Sequence, residues 1–359
     1  MKRSVLTRGV VVGVALVALA VAGCGNDTPS NNPSGGGAGN EFTALSGSIK
    51  GSGASFPDAY YQKAIEEFLN VATNADVTYK AIGSGAGKKE FGSGLTDFAG
   101  TDSTVKDTDG VATGSYIYIP TVAAPITVSY NVSGVDGLKL SPETLGKIFG
   151  RTIKKWNDPA IVADNSGVTL PDKNITVVHR SDGSGTTNNF TRYLVAAGGS
   201  GWTLGSGDTV AWPADTQAGE KNTGVAQLIK QSDGSIGYVD FADAKESGLK
   251  FAALRNKDGQ FVEASLAGAT AALEGAEVKD DLTYNPLNAA GAATYPITAP
   301  TYILVKPSYT DAAKGKLVKG FVKWILTEGQ ALAEGANYAK LPTTLQQKAV
   351  TTLETISAA

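Results

Sequence analysis

Apolar positions along the chain follow two spacings, one typical of strands and one of helices. Residues 76–82 (DVTYKAI) and 175–179 (ITVVH) are short strand-like runs. Apolar residues recur every three or four positions after Pro57, after Thr186 and from about 313 to 332, which predicts amphipathic helices. Their apolar faces comprise Tyr61, Ala64, Ile65, Phe68, Leu69 and Ala72; Phe190, Tyr193 and Leu194; and Leu317, Phe321, Trp324 and Ile325. This alternation predicts an α/β protein with two open mixed sheets flanked by helices.

Two extended runs, 118–128 and 295–305, each have a proline near the start, which resists helix, and end in β-branched residues. We expect them to be two crossings between two lobes, because the body is long for one average domain. The first lobe is predicted to comprise 46–123 and 299–359, and the second 124–298. The alternative is that both runs are ordinary central strands, which the sequence alone leaves open.

The N-terminus is typical of an export signal. Basic residues precede an apolar run over 10–22, which is shorter than the about 20 residues that a spanning helix needs. The run leads into Val-Ala-Gly-Cys24, which resembles a bacterial lipobox. Residues 1–23 are therefore predicted to be a lipoprotein signal peptide, with Cys24 as the lipid anchor and 24–45 as a flexible linker rich in Asn, Ser, Pro and Gly. The alternative is an ordinary signal with a chance cysteine.

The formal charge of the 359-residue chain is -3, and removing the three cations of the predicted signal leaves about -6. A nucleic-acid partner would require a basic face, so the acidic balance argues against one. If the protein binds an anion, directed dipoles must hold it rather than the overall field.

Hydroxyl side chains lie beside glycines at three points where a predicted strand gives way to a predicted helix. These segments are 53–56 (GASF), 82–87 (IGSGAG) and 180–186 (RSDGSGT). The start of a helix has unpaired N–H groups and a partial positive charge. Three such ends meeting at one point would hold a small anion without a basic surface.

Two nucleotide-binding motifs are absent from the second of these segments. A P-loop fails because its first glycine position is Ile82 and the residue after Lys88 is Lys89 rather than Ser or Thr. The dinucleotide pattern Gly-x-Gly-x-x-Gly fails because Lys88 takes the last glycine position.

A hydrolytic triad of His179, Asp182 and Ser184 is also disfavoured. The three residues are too close along the chain to align nucleophile, base and orienting group, and the Gly-x-Ser-x-Gly elbow is absent. We expect His179, the only histidine, to be structural or on the surface. No Cys/His cluster or helix-borne carboxylate pair suggests a metal, so we expect neither metal nor cofactor.

Arg180 precedes Asp182 by two residues and Ser184 by four. A guanidinium offers two parallel donors to a tetrahedral oxyanion, and a nearby carboxylate can hold it in its binding rotamer. Ser184, Gly185 and Thr186 then offer backbone N–H groups and two hydroxyls at a helix start. The alternative is a capped turn with no ligand.

Asp102 adds selectivity to this set. A carboxylate in an anion site is unfavourable unless the anion carries a proton to donate. Phosphate keeps at least one proton near neutral pH, whereas sulfate keeps none. A site built around such a bond discriminates by about 10⁴ or more against anions that lack the donor. The alternative is that Asp102 is an N-cap or surface residue.

Taken together, these segments resemble a known family, the phosphate-binding lipoprotein of the bacterial high-affinity phosphate ABC transporter. The matching stretches run in family order and are 51–57 (GSGASFP), 81–85 (AIGSG), 97–102 (DFAGTD), 153–158 (IKKWND), 177–186 (VVHRSDGSGT), 236–239 (IGYV) and 295–297 (YPI). The resemblance implies a two-lobed periplasmic-binding-protein fold, type II-like, that binds inorganic phosphate between the lobes and delivers it to a membrane permease. It also implies a protein that is extracytoplasmic, lipid-anchored, monomeric and not an enzyme.

The resemblance assigns a role to each matching residue. The implied phosphate ligands are the Ser55 hydroxyl, the Phe56 N–H, the Ser84 hydroxyl and N–H, Asp102 as acceptor of the phosphate proton, the Arg180 fork, and Ser184, Gly185 and Thr186, with Asp182 orienting Arg180. Two departures are mild: Ser55 stands where the family often has Thr, and His179 where it often has a second Arg.

Two other functions stay open on the residues alone. One is binding of another tetrahedral oxyanion; Asp102 argues against sulfate and molybdate but not against arsenate. The other is an exported phosphoester hydrolase that uses Ser55, Ser84 or Ser184 as nucleophile. No general base or metal set accompanies those serines, which argues against it.

Overall fold

The computed structural model describes residues 39–358. The predicted signal peptide, Cys24 and the linker up to residue 38 lie outside the described residues. Residues 39–45, which the prediction assigned to the linker, include a short helix, and the Phe42 side chain is buried against Phe68 with ring centroids 6.5 Å apart. The folded body therefore begins before residue 46.

Helices and strands alternate over much of the described chain. The helices are α1 Gly39–Thr43, α2 Asp58–Val71, α3 Ser84–Gly92, α4 Pro142–Phe149, α5 Pro159–Asp164, α6 Gly185–Ala197, α7 Lys221–Gln231, α8 Phe241–Glu246, α9 Leu266–Glu274, α10 Ala312–Leu326 and α11 Thr343–Glu354. The strands are β1 Ser46–Gly53, β2 Asn74–Ala81, β3 Phe98–Thr101, β4 Ile117–Asn131, β5 Lys139–Leu140, β6 Thr176–Arg180, β7 Gln217–Gly219, β8 Ser235–Asp240, β9 Lys250–Phe251, β10 Ala253–Arg255, β11 Phe261–Val262, β12 Thr298–Val305, β13 Ser308–Tyr309 and β14 Ser357–Ala358. The prediction of a mixed α/β protein is confirmed.

Nine of the described strands form one sheet: eight follow the order β2-β1-β3-β12-β4-β8-β6-β7, and β9 pairs with β4 off this path. The long strand β4 joins its two parts, since residues 117–125 pair with β12 and residues 126–131 pair with β8. We call β1, β2, β3, β12 and the first part of β4 the first half-sheet, and β6 to β9 with the rest of β4 the second. The predicted crossings at 118–128 and 295–305 correspond to β4 and β12, which are antiparallel neighbours at the centre of the path.

Strand direction places the ends of several strands at a common edge. In the first half-sheet, β2 and β3 both run parallel to β1, and in the second, β7 and β8 both run parallel to β6. The carboxyl ends of parallel strands share an edge, where open α/β sheets usually bind ligands. The segments that follow β1, β2, β3 and β6 are those that the sequence analysis singled out.

Close backbone packing positions α3 over the end of β1. Gly87 lies so near Gly53 that a Cβ on Gly87 would stand 2.2 Å from the Gly53 Cα. Only glycine permits this approach, and it sets the first residue of α3, Ser84, beside the strand ends.

One predicted helix is shorter than expected. The periodicity predicted a helix to Leu332, but α10 ends at Leu326 because Thr327 leaves helical geometry (φ -108°, ψ -90°). A 3₁₀ segment at Glu328–Leu332 then continues the chain, and its Gly329 packs against the Trp324 ring. Apolar spacing of three to four is compatible with either helix, so the pattern could not locate the change.

Candidate anion-binding site

The segments that follow the strands of the two half-sheets come together at Ser84 and Asp102, which follow β2 and β3, and at Gly185, which follows β6. The Asp102 N–H donates to Ser84 Oγ across 3.2 Å, and that hydroxyl lies 3.4 Å from Asp102 Oδ2. A Cβ on Gly185, the first residue of α6, would stand 2.6 Å from Ser84 Oγ and 2.7 Å from Asp102 Oδ2. These three residues, predicted from separate segments, therefore lie together.

Asp102 is buried, with 2 % of its surface exposed, so it is neither an exposed cap nor a surface residue. The Thr301 hydroxyl on β12 donates to its Oδ1 across 2.7 Å. Burial raises the pKa of Asp102 to about 7, although the Thr301 hydrogen bond and the Arg180 charge oppose the rise. The carboxyl group can therefore gain or lose a proton near neutral pH.

Asp182 holds the Arg180 guanidinium by one edge. Arg180 Nε donates to Asp182 Oδ1 across 2.7 Å and Nη2 donates to Oδ2, while the Lys221 N–H also donates to Oδ1. Burial alone would raise the pKa of Asp182, but the hydrogen bonds and charge of Arg180 lower it on balance. The carboxylate stays ionised and fixes the arginine, and Nη1 lies 3.4 Å from Thr186 Oγ1.

Asn222, in the first turn of α7, connects the remaining hydroxyls. Its Nδ2 donates to Ser55 Oγ, after β1, and to Thr186 Oγ1, in the first turn of α6, across 3.3 Å in each case. Because both oxygens accept from Asn222, each hydroxyl keeps its own proton for another acceptor. Asn222 is fully buried, and its Oδ1 has no hydrogen-bond partner among the described residues.

Ser184 caps α6, since its Oγ accepts from the Thr187 N–H across 3.1 Å. Its own N–H donates to the Asp208 carbonyl oxygen across 2.9 Å. This N–H, which was predicted to bind an anion, is therefore already donated to Asp208 in the arrangement seen here. The Ser184 hydroxyl proton stays available.

Phe56 is fully buried, and its carbonyl accepts from the Tyr338 hydroxyl across 2.6 Å. The ring of Tyr338 also packs edge-on against Phe56, with centroids 6.1 Å apart. These contacts fix the backbone between Ser55 and α2, where the prediction placed a donor N–H.

His179 lies outside this cluster and is structural, as expected. Its ring stacks on Trp212 with centroids 4.7 Å apart, and Nε2 lies 3.0 Å from Thr216 Oγ1. Burial lowers the pKa of His179, which favours the neutral ring.

Sequence reasoning missed Thr301 and Asn222. Thr301 has no local signal, since it stands in a strand where threonine is common. Asn222 does have a weak one, because it follows the end of β7 by three residues and so repeats the strand-to-helix placement of the predicted segments.

The cluster combines many donors with one acceptor. The hydroxyls of Ser55, Ser84, Ser184 and Thr186 and the guanidinium of Arg180 can donate, whereas the carboxylate of Asp102 can accept. Such a set suits an oxyanion that carries both negative charge and a proton.

Comparison with known proteins agrees with this chemistry. A model of the PBP superfamily domain matches residues 38–328. Phosphate-binding protein PstS of Pasteurella multocida is 37 % identical over 313 residues, which cover 86 % of this chain and 90 % of that protein. The chain belongs to the PstS family of the PBP superfamily. The family resemblance drawn from the motifs is therefore confirmed.

The PstS family match extends further along the chain in other relatives. Phosphate-binding protein PstS 3 of Mycobacterium leprae is 32 % identical over 370 residues, 97 % of this chain and 98 % of that protein. Among solved structures, a high-affinity periplasmic phosphate-binding protein (PfluDING) bound with phosphate aligns with a TM-score of 0.69 and 24 % identity, over 84 % of this chain and 92 % of that one. At this identity the likeness concerns the fold, and it confirms the predicted periplasmic-binding-protein fold. Within residues 39–358, no helix is both long and apolar enough to cross a bilayer.

Proposed function

We propose that this protein binds inorganic phosphate in a cleft between two lobes and delivers it to the membrane permease of an ABC transporter for import. It acts as a binding protein rather than an enzyme. Family membership supports this proposal, because the relatives compared above carry the name phosphate-binding protein.

The observation that carries the proposal is the buried carboxylate of Asp102 among hydrogen-bond donors. Its Oδ2 lies 3.4 Å from Ser84 Oγ, and Gly185 is in contact with both residues. A carboxylate here repels a fully deprotonated anion such as sulfate but can accept a proton from phosphate. The pairing of donors with one acceptor thus favours phosphate over sulfate and molybdate.

Each ligand has a proposed role. Asp102 accepts the phosphate proton, and Arg180 donates to phosphate from the edge of its guanidinium that Asp182 leaves open. The other donors to phosphate are the hydroxyls of Ser55, Ser84, Ser184 and Thr186 and the N–H groups of Phe56, Ser84, Gly185 and Thr186. Asn222 directs the protons of two of these hydroxyls toward the anion.

The proposed lobes are 46–123 with 299–359, and 124–298. Phosphate would contact Ser55, Ser84 and Asp102 on the first and Arg180 and Thr186 on the second. Only a closed form satisfies both sets of contacts, so the ligand favours closure by flexing of the two crossings.

The proposed location is outside the cytoplasm, with a lipid on Cys24 tethering a monomeric body to the membrane. Residues 1–23 would be removed on export. The tether would keep the binding protein near its permease.

Titration calorimetry of the purified protein with phosphate and with sulfate tests the proposal. We expect phosphate to bind at least about 10⁴-fold more tightly. Equal affinity for the two anions, or no heat with phosphate, would contradict the function.

A further inference from the structure

Lys88 is a fully buried lysine one helical turn after Ser84. Its Nζ lies 2.7 Å from Asp109 Oδ2 and 2.9 Å from Asp208 Oδ2, and it donates to Ser103 Oγ across 3.1 Å. The two carboxylates come from different parts of the fold. Asp109 belongs to the 3₁₀ turn between β3 and β4, whereas Asp208 precedes β7 of the second half-sheet.

Asp208 is also tied to the start of α6. Its Oδ1 accepts from Asn188 Nδ2 across 2.8 Å, and its carbonyl oxygen accepts from the Ser184 N–H across 2.9 Å. The Lys88 to Asp208 pair therefore joins the N-terminal half of α3, which begins at Ser84, to the start of α6, which Ser184 caps.

A neutral hydrogen bond joins the same two segments, from the Gly85 N–H to the Gly183 carbonyl across 2.9 Å. The ion pair differs from it in its energetic consequences. Separating Lys88 from Asp208 loses the attraction between two charges 2.9 Å apart at a buried position, where water and salt screen it less than at the surface. Asp109 lies on the side of Lys88 and would remain paired when the two half-sheets part.

We propose that Lys88 and Asp208 are positioning residues that hold the two halves of the site together and so raise the affinity for phosphate without touching it. The proposal rests on the proposed function. The pair is satisfied only when the halves are in contact, so it adds to the population of the closed form and lowers the apparent dissociation constant.

The sharpest test is Asp208→Asn in the full-length protein, with Asp109→Asn as the matched control. Both variants remove one carboxylate from the same lysine and leave the other in place. A purely electrostatic account predicts that either change tightens anion binding, because a negative charge near the site is lost. The positioning account predicts that Asp208→Asn instead weakens phosphate binding by about tenfold, whereas Asp109→Asn stays within about twofold.

Calorimetry with phosphate and small-angle X-ray scattering of the ligand-free proteins separate the outcomes. Weaker binding and a larger radius of gyration for Asp208→Asn, but not for Asp109→Asn, support the proposal. Unchanged or tighter binding by Asp208→Asn overturns it and leaves the proposed function intact. If the wild-type protein binds no phosphate, the proposed function fails. The positioning role is then tested by scattering alone, and it is overturned if ligand-free Asp208→Asn has the same radius of gyration as the wild-type protein.

Discussion

Gly185 lies directly against Asp102, and a methyl group on Gly185 would stand 2.7 Å from the Asp102 carboxylate oxygen. Gly185 opens α6 of the second half-sheet, whereas Asp102 follows β3 of the first. The missing side chain at position 185 thus allows the two halves to meet at the candidate site.

Gly185→Ala should therefore weaken phosphate binding by about 10²-fold. The added Cβ would overlap Ser84 Oγ and Asp102 Oδ2, so these groups would have to move away from the anion. A misplacement of about 1 Å in a preorganised site has effects of this size. Titration calorimetry measures the loss, and urea unfolding shows whether the fold is retained.

Gly183→Ala is the matched control in the same loop. A Cβ there would meet its nearest neighbour, the Gly85 Cα, at 3.4 Å, which is ordinary contact. We expect phosphate affinity within about threefold of wild type, the size of effect usual where nothing is displaced. Equal losses in the two variants would mean that loop stiffness, not the approach of Gly185 to Asp102, sets the affinity.

Asp102→Asn should narrow the preference for phosphate over sulfate more than it weakens phosphate binding. An amide can donate to an oxyanion and carries no charge, so sulfate is no longer repelled. We expect the preference to fall by about 10²-fold or more. Asp182→Asn is the control, since it removes the carboxylate that holds Arg180 and should weaken the binding of phosphate and of sulfate by the same factor. An unchanged preference in Asp102→Asn would contradict the proton-accepting role.

Sulfate binding by the wild-type protein should depend on pH through the same carboxyl group. Burial raises the pKa of Asp102 to about 7, so it is increasingly protonated below that pH and can donate to sulfate. Sulfate affinity should rise by about tenfold in total as pH falls from about 8 to about 6, where the group is almost fully protonated, and then level off. Calorimetry from roughly pH 5 to pH 8, a range that spans this pKa, measures the change in sulfate affinity. The sulfate affinity of Asp102→Asn should not depend on pH over this range.

The sequence could predict the elements that carry the site because their signals are local. Pro57 precedes α2 and Ser184 caps α6, and both choices are visible within a few residues. Asp102 could be selected by chemistry, since a carboxylate beside hydroxyl and glycine-rich turns raises the question of what it accepts.

The partners of these residues could not be predicted, because packing of distant segments selects them. Asn222 lies 167 residues from Ser55, and Thr301 lies 199 residues from Asp102. Lys88 is a further case: the sequence excluded a P-loop at this lysine, but lysine is normally exposed, so nothing local indicates its burial.

Asn222→Ala should weaken phosphate binding by about tenfold, which corresponds to roughly the net free energy of one hydrogen bond. Without the amide, the Ser55 and Thr186 hydroxyls are free to rotate and must be ordered by the ligand. Asn222→Asp is the sharper variant, because a carboxylate would accept the protons that the anion needs and add a negative charge. We expect a larger loss there. Calorimetry that finds wild-type affinity in both variants would rule out the orienting role.

The contribution of Asp102 to the stability of the ligand-free protein should fall as pH rises toward neutrality. The pKa of Asp102 is raised in the folded state to about 7, above the value of about 3.9 for an unfolded chain. Its contribution is therefore fully present below about pH 4 and is lost as pH rises through about 7. Asp102→Asn lacks this dependence, so its free energy of unfolding relative to wild type should increase by roughly 2 to 4 kcal/mol over that interval and then level off. Urea unfolding at several pH values, without phosphate, measures the difference.

Asp182→Asn is the control of opposite sign. The pKa of Asp182 is lowered in the folded state, so its contribution to stability is lost only in acid. A pH-independent difference between wild type and Asp102→Asn would show that the buried carboxyl group is not the one that titrates.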